Sequence, residues 1–153
     1  MEPYYTERGN GIAMVGKYNH SLDAKNRLFI PAKYREELGD RITITKNVDH
    51  SLTVYSKAEW DLYTQKIREK AGVQAREVLR FVNGNASDVE LDSQGRAVIK
   101  QELLDYAGID LQKEVTVIGV GSYAEIWSEE AMREVENNEN TKHILDLMIE
   151  IGL

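Results

Sequence analysis

Short runs of strand-forming residues alternate along the chain with stretches of helical pattern. Residues 42–45 and 115–118 are β-branched runs, which are typical of strands. Residues 32–38 and 101–107 are predicted as short helices that end before a glycine, and Pro31 suits the first helical position of the former. Because short strands and helices are interspersed, the pattern predicts an α+β fold.

Further helices are predicted after the strands. Ser56-x-x-Glu59 forms a capping box, which indicates a helix over residues 57–71. Residues 75–82 carry apolar side chains at helical spacing, and Thr141 is expected to cap a last helix. The apolar residues assigned to that last helix are Ile144, Leu145, Met148 and Ile151, and those assigned to the helix before it are Met132 and Val135.

The chain also contains an internal repeat. The motif Leu-Asp-x-x-[Asn/Gly]-Arg-x-x-Ile occurs at residues 22–30 and again at 91–99, an offset of 69 residues. In both copies a helical stretch, a glycine, a β-branched run and an aromatic-serine pair follow in the same order. This shared order predicts duplication of one β-hairpin, helix, β-hairpin unit.

The turn inside each motif has a physical explanation. The side chains of Asp23 and Asp92 can accept a hydrogen bond from the backbone N–H two residues further on. The fourth turn residue, Asn26 or Gly95, then needs a positive φ, which glycine and asparagine tolerate best. Both copies therefore meet the same backbone requirement with different residues.

Composition excludes several classes of protein. Among the 153 residues, 42% are hydrophobic and 29% charged, as in ordinary globular domains. The absence of cysteine excludes disulfides and thiolate sites, and three scattered histidines do not indicate a metal or catalytic centre. With no apolar run long enough to span a bilayer and no secretory signal, we expect a cytoplasmic protein that is no enzyme, with no cofactor and no membrane partner.

The net charge of −7 argues at first sight against nucleic-acid binding, but the charge is unevenly distributed. The segments 1–47, 48–81 and 82–153 carry +2, +1 and −10. The window 17–35 carries +4, whereas its second-copy equivalent, 86–104, carries −2. Gln94 stands where the first copy has Lys25, and Glu102 where it has Lys33. The second copy is therefore unsuited to phosphate, so a phosphate-binding face is expected in the first copy alone. Charge by itself favours the simpler interpretation, a soluble protein with uneven surface charge.

Several motifs together carry a family resemblance: Gly16-x-Tyr18-x-His20, Leu-Asp-Ala-Lys-Asn-Arg at 22–27, Ile-Pro-Ala-Lys-Tyr-Arg at 30–35, Leu-Asp-Ser-Gln-Gly-Arg at 91–96 and Glu-Ile-Trp-Ser at 125–128. With these motifs the chain resembles the MraZ family of bacterial transcriptional regulators. The resemblance implies a fold similar to the AbrB and MazE swapped-hairpin β-barrel with flanking helices. Two repeats would form one pseudo-dimeric unit, with 14–81 as the DNA-reading repeat and 82–153 as the second repeat and C-terminal helices. Residues 1–13 lie outside the resemblance.

The resemblance also implies a function. The chain is expected to be a nucleoid-associated, sequence-specific repressor of the division and cell-wall gene cluster, including its own promoter. It would bind double-stranded DNA at direct repeats as a ring-shaped homo-oligomer. Asn26 stands where the family usually has glycine. This departure is mild, because asparagine also tolerates the positive φ that the turn needs at this position.

We expect Lys25 and Arg27 of the first turn to contact DNA, with Lys33 and Arg35 on the following helix in support. The alternative for Arg27 is a salt bridge to Asp23 that only fixes the hairpin. The alternative for Lys33 and Arg35 is a solvated helix face. Arg96 is expected to be structural, pairing with Asp92 or a neighbouring subunit. An antitoxin-like protein and a structural ring or scaffold that does not bind DNA remain the alternative functions.

Overall fold

The computed structural model describes residues 13–70 and 72–153, so nearly all of the predicted extension 1–13 lies outside the described residues. The mixed α+β class is confirmed by the elements that the structure contains. The strands are β1 (Lys17–Ser21), β2 (Arg27–Phe29), β3 (Arg41–Lys46), β4 (Leu52–Ser56), β5 (Ser87–Glu90), β6 (Arg96–Val98), β7 (Glu114–Gly119) and β8 (Ala124–Ser128). The helices are α1 (Ala32–Leu38), α2 (Lys57–Arg68), α3 (Val73–Gly84), α4 (Gln101–Tyr106), α5 (Glu129–Asn137) and α6 (Thr141–Glu150).

Strands from the two copies of the motif pair with each other. A six-stranded antiparallel sheet has the order β1-β7-β8-β4-β3-β5, and β2 pairs with β6 in a separate two-stranded ribbon. The first strand of each copy thus lies beside the third strand of the other, as β1 on β7 and β5 on β3. Among the described residues, neither copy alone supplies a strand that pairs with its own first strand.

The ribbon of β2 and β6 is symmetric about its centre. Ile30 N–H donates to the Gly95 carbonyl at 2.9 Å, and Ile99 N–H donates to the Asn26 carbonyl at 2.9 Å. These two hydrogen bonds are equivalent under the 69-residue offset of the sequence motif. Each turn is therefore joined by a backbone hydrogen bond to the end of the other copy's strand.

The hydrophobic core lies on one face of the six-stranded sheet, against the ribbon and the helices α1 and α4. Equivalent residues of the two copies meet there. The sheet contributes Ile42, Ile44, Leu52, Val54, Val115, Val117 and Ile126, and the elements packed on it contribute Leu28, Ile30, Tyr34, Ile99, Leu103 and Leu104. Burying each large apolar side chain stabilises the fold by about 1.5–3 kcal/mol. Since both copies supply these side chains, the core forms only when the two halves fold together.

The opposite face of the sheet is covered by helices that follow the fourth strand of each copy. Ser56 Oγ accepts a hydrogen bond from Glu59 N–H at 3.2 Å, which confirms the predicted cap of α2. The helix ends at Arg68, before the predicted residue 71. The hydroxyl of Thr45 donates to the Val82 carbonyl at 2.7 Å and joins α3 to β3.

Two details of the helix termini differ from prediction. Pro31 precedes α1 with an extended ψ of 144°, so it is the N-cap residue and not the first helical residue. Asn140, not Thr141, caps α6, because the Asn140 side chain accepts hydrogen bonds from Lys142 N–H and His143 N–H. Within the described residues, no helix is long and apolar enough to cross a membrane.

Candidate nucleic-acid interface

The first turn of the ribbon is built around Asp23. Its Oδ1 accepts hydrogen bonds from Lys25 N–H at 2.9 Å and from Arg27 N–H at 3.0 Å. Asn26 has a φ of 59°, in the left-handed region that asparagine tolerates. The exposed side chain of Lys25 therefore projects from a turn whose backbone is held by one carboxylate.

The second turn reproduces this geometry. The Oδ1 of Asp92 accepts from Gln94 N–H and from Arg96 N–H, both at 2.9 Å. Gly95 has a φ of 78°, which is close to the 59° of Asn26. The two turns thus offer the same backbone frame for different side chains.

Each turn also holds its arginine in an ion pair. Arg27 Nε lies 2.6 Å from Asp23 Oδ2, and Arg96 Nε lies 2.8 Å from Asp92 Oδ2. Arg96 Nη1 is also 3.8 Å from Asp23 Oδ2, so the two copies meet electrostatically at the centre of the ribbon. The salt bridge that was the alternative for Arg27 and the pairing of Arg96 with Asp92 that was expected are both present, with 28% of each arginine side chain still exposed.

The hydrogen bonds of the turns keep both aspartates ionised. Desolvation raises the pKa of Asp23, but the backbone and side-chain hydrogen bonds from Arg27 and the backbone hydrogen bond from Lys25 outweigh it, so the pKa lies below its ordinary value. The backbone hydrogen bond from Arg96 is the main cause that lowers the pKa of Asp92. Each turn therefore carries a stable carboxylate beneath its guanidinium.

The four predicted DNA-contacting residues do not form one group. Lys25 and Arg27 lie together at the first turn, whereas Arg35 lies at the second. The reason is topological: α1 begins where β2 ends, and the residue after β2, Ile30, is hydrogen-bonded to Gly95. Lys33, on the same helix as Arg35, is exposed.

Arg35 is engaged in packing. Its guanidinium carbon lies 5.4 Å from the centre of the Phe29 ring, a cation–π arrangement. A side chain on Gly95 would collide with the same guanidinium. Its Nε is buried and has no hydrogen-bond partner among the described residues. The solvated-face alternative therefore does not describe Arg35, whereas Lys33 on the same helix is exposed.

The first turn lies beside the second copy's helix α4. Asn26 Nδ2 donates to Gln101 Oε1 at 3.2 Å, at the start of α4. The exposed residue that follows, Glu102, adds an acidic group to this helix start. Each turn is thus flanked by the helix that follows the other copy's strand.

The outer face of the ribbon carries apolar residues that the sequence analysis missed. Phe29 lies opposite Arg96 and Val98 opposite Arg27, and these apolar side chains are 36% and 53% exposed. The ring of His20 lies 5.3 Å from that of Phe29. The alternation of buried and exposed residues along each three-residue strand could have indicated these apolar side chains. The exposed face can be assigned, however, only once the pairing register of the strands is known.

The arrangement presents cations and exposed apolar side chains on a narrow ribbon. Among the described residues no group of three histidines, cysteines or acids could hold a metal ion. A two-stranded ribbon with arginines on its outer face can enter a groove of duplex DNA, where lysine and arginine neutralise phosphates and arginine reads guanine.

Known proteins of one family are similar to this chain over most of its length. The model of the family described as "MraZ protein, putative antitoxin-like" matches the chain twice, over residues 13–81 and 83–145. A protein of Clostridium acetobutylicum named transcriptional regulator MraZ is 42% identical over 144 residues, covering 91% of this chain and 99% of its own length. Proteins of the same name from Caldicellulosiruptor bescii and Clostridium tetani are 42% and 39% identical, covering 92% and 91% of this chain and 99% of each relative.

The two turns are predicted to differ in their tolerance of asparagine. Gly95→Asn is expected to lower the free energy of unfolding by about 1–3 kcal/mol, because the new side chain meets the Arg35 guanidinium. The matched change Asn26→Gly is expected to alter it by less than about 1 kcal/mol, since glycine adopts the same φ freely. Urea denaturation measures both, and equal losses would contradict the packing of Arg35 on the second turn.

The ionised turn carboxylate is predicted to contribute stability that depends on pH. Asp92 has a lowered pKa in the folded chain, so its contribution is complete above the ordinary value of 3.8 and is lost as the pH falls through the folded value. Asp92→Asn is therefore expected to lower Tm at pH 7, with a difference from the parent that shrinks below pH 3.8.

Asp110→Asn is the control for this measurement, because Asp110 pairs with Lys113 at 3.7 Å on the open surface. It is expected to leave Tm unchanged at every pH. A pH-independent loss in Asp92→Asn would show that the charge of the carboxylate is unimportant.

Proposed function

The chain belongs to the MraZ family, and on that premise we propose that it is a sequence-specific DNA-binding regulator of transcription and not an enzyme. It represses the division and cell-wall gene cluster that contains its own promoter. It acts in the cytoplasm, at the nucleoid, as a ring-shaped oligomer on direct repeats of double-stranded DNA. The observation that carries the proposal is the ribbon of β2 and β6, whose first turn presents Lys25 and Arg27.

The fold we propose is the AbrB-type swapped-hairpin barrel, made here by two repeats, 14–81 and 82–153, in one pseudo-dimeric unit. Its support is the pairing of β1 with β7, of β5 with β3 and of β2 with β6. In each pair one strand comes from each repeat. The two family-model matches within one chain also support this division.

Arg27 is the residue that we assign to base recognition. Its Nε is occupied by Asp23, so the end of the guanidinium with the two Nη groups is the part that can face a base. Those two groups match the O6 and N7 acceptors of guanine in the major groove. In this assignment the ion pair orients Arg27 for recognition.

Lys25 and Lys33 are assigned to phosphate contact, because both are exposed. Arg35 supports the interface from the other end of the ribbon, where it packs on Phe29 and Gly95. The acidic segment 82–153 faces away from the duplex apart from β6 and its turn, because its charge of −10 repels phosphate.

One such face makes few phosphate contacts, and non-specific binding by single faces has dissociation constants of about 10⁻⁴ to 10⁻⁶ M. Linking identical faces raises avidity by roughly 10² to 10⁴. An oligomer on regularly spaced repeats therefore supplies the affinity that one chain lacks.

A second candidate is a ring or scaffold protein that does not bind DNA. The observation in its favour is that Arg27 and Arg96 are both already paired with carboxylates. The family description also contains the term antitoxin-like, for which a protein toxin would be the partner. Loss of DNA binding on mutation of Arg27 distinguishes the proposed regulator from the scaffold, whereas an antitoxin-like protein is distinguished by a toxin partner.

Arg27→Ala is predicted to abolish specific binding to the chain's own upstream region, while the oligomer keeps its size in size-exclusion chromatography. The physical reason is the loss of a bidentate guanine contact, worth about 1–3 kcal/mol per face and repeated in every face of the ring. Arg96→Ala is the matched control: it breaks the equivalent ion pair with Asp92 and is expected to affect folding or assembly more than DNA contact. Gel-shift titration with box-number variants measures binding, and unchanged affinity in Arg27→Ala would remove the proposed reading turn.

Lys25→Ala is predicted to weaken binding to all DNA sequences and to lower the salt slope by about one unit per contacting face. Gln94→Ala, the equivalent change in the second turn, is expected to leave the slope unchanged. Fluorescence anisotropy over a series of salt concentrations measures both slopes. A slope that does not move in Lys25→Ala would show that Lys25 contacts no phosphate.

A further inference from the structure

The outer face of the ribbon of β2 and β6 places apolar side chains beside arginines. Val98 lies directly opposite Arg27, and Phe29 lies directly opposite Arg96. The central residue of each strand is completely buried, so the residues on either side of it share the outer face. The candidate DNA interface thus contains an apolar component as well as cations.

The two apolar side chains have different surroundings. The ring of Phe29 lies 5.3 Å from the ring of His20 and 5.4 Å from the guanidinium carbon of Arg35. At the equivalent positions, 69 residues further on, the second copy has the aliphatic residues Val89 and Leu104. Val98 therefore keeps more of its surface open to a partner, with 53% exposed against 36% for Phe29.

Val98 lies at the end of the ribbon that carries the first turn. The next residue, Ile99, donates its N–H to the carbonyl of Asn26 in that turn at 2.9 Å. Three cations lie at this end against two carboxylates, namely Lys25, Arg27 and Lys100 against Asp23 and Glu102. The surroundings of Val98 are therefore net positive, as a contact with duplex DNA requires.

The width of the ribbon selects the groove that it can enter. A two-stranded ribbon fits the major groove, which is about 12 Å wide, and not the minor groove, which is about 6 Å wide. In the major groove the apolar group that distinguishes one base from the others is the C5-methyl of thymine. The side chain of Val98 has no hydrogen-bond donor or acceptor, so this methyl group is the feature that it can recognise.

The register of the ribbon limits where that thymine lies. Directly opposite residues of an antiparallel pair have Cβ atoms about 4.5–5.5 Å apart. Successive base pairs are separated by about 3.4 Å along the duplex. A base that touches Val98 is therefore within about two base pairs of the guanine assigned to Arg27.

We propose that Val98 is a specificity-determining residue that contacts the methyl group of a thymine within about two base pairs of that guanine. The inference rests on the DNA recognition of the proposed function. It makes base reading a joint property of the two repeats, because Arg27 comes from β2 and Val98 from β6.

The test measures the affinity of the full-length chain for duplexes of its own upstream region that carry two direct repeats, by fluorescence anisotropy. Each thymine is replaced in turn by deoxyuridine, at the same position of both boxes, which removes only the C5-methyl group. Each guanine is replaced in turn by 7-deazaguanine, which removes the N7 acceptor and locates the guanine that Arg27 contacts.

The variant is Val98→Ser, whose side chain has no methyl group. Its control is Val48→Ser, in the loop between β3 and β4, where the valine is 81% exposed. Far-UV circular dichroism and mass photometry verify that both variants keep the fold and the oligomeric mass of the wild type.

We expect deoxyuridine at one thymine position to weaken binding of the wild type and of Val48→Ser by about fourfold for each box, as the loss of one buried methyl-sized group implies. This thymine is expected within about two base pairs of a guanine whose 7-deaza form also weakens binding. Val98→Ser is expected to bind the unmodified duplex as weakly as the wild type binds the deoxyuridine duplex, and to be insensitive to the replacement.

Wild-type binding that depends on Arg27 but on no thymine methyl group would overturn the inference and leave the proposed regulator standing. A deoxyuridine effect of equal size in Val98→Ser, or one confined to thymines far from every required guanine, would also overturn it, because another side chain would then read the methyl group. A wild type that binds unrelated DNA as tightly as its own upstream region would overturn the proposed function together with this inference.

Discussion

The antiparallel pairing of β2 with β6 is the constraint on which the rest of the structure depends. It joins two strands of three residues from different halves of the chain through reciprocal hydrogen bonds at Ile30 and Ile99. Each bond ends on a turn residue, Asn26 or Gly95, that must adopt a positive φ. Because the ribbon needs both turns, and because Leu28 and Ala97 of its inner side are completely buried, the ribbon and the core form together. The duplicated motif is therefore a requirement of the fold.

Within this symmetric frame the two turns have different chemistry. Both aspartates organise the backbone and hold an arginine, so the frame itself does not distinguish the copies. The distinction comes from side chains that the frame leaves free to vary: Lys25 against Gln94, and Lys33 against Glu102. Gly95 cannot vary in the same way, because Arg35 packs against it. At the equivalent position of the first turn there is room for the Asn26 side chain, which donates a hydrogen bond to Gln101. Because each turn is flanked by the helix of the other copy, Lys25 lies at the first turn with Glu102 on the adjacent helix, and Lys33 lies on the helix beside the second turn.

Local features of this structure could be predicted from the sequence, and distant pairings could not. The Ser56 cap of α2 and the extent of α1 follow from neighbouring residues and were predicted correctly. Asn140 and Thr141 are both good caps, and only the backbone conformation decides between them. A strand of three residues does not specify which strand it pairs with. Arg35 follows the first turn in the sequence, so its placement beside the second turn could not be predicted from the sequence. Periodicity indicated the apolar stripe of α6, but it does not reveal that the described residues of the chain leave the stripe exposed.

A cryo-electron-microscopy structure of the chain on a duplex with direct repeats would show whether the first turn contacts the bases, because it locates every side chain of the ribbon relative to the DNA. We expect the Nζ atoms of Lys25 and Lys33 within about 3 Å of phosphate oxygens and Arg27 at a guanine edge, with Gln94 and Glu102 away from phosphate. A duplex seated on the acidic segment 82–153, with the first turn facing solvent or another subunit, would contradict this expectation.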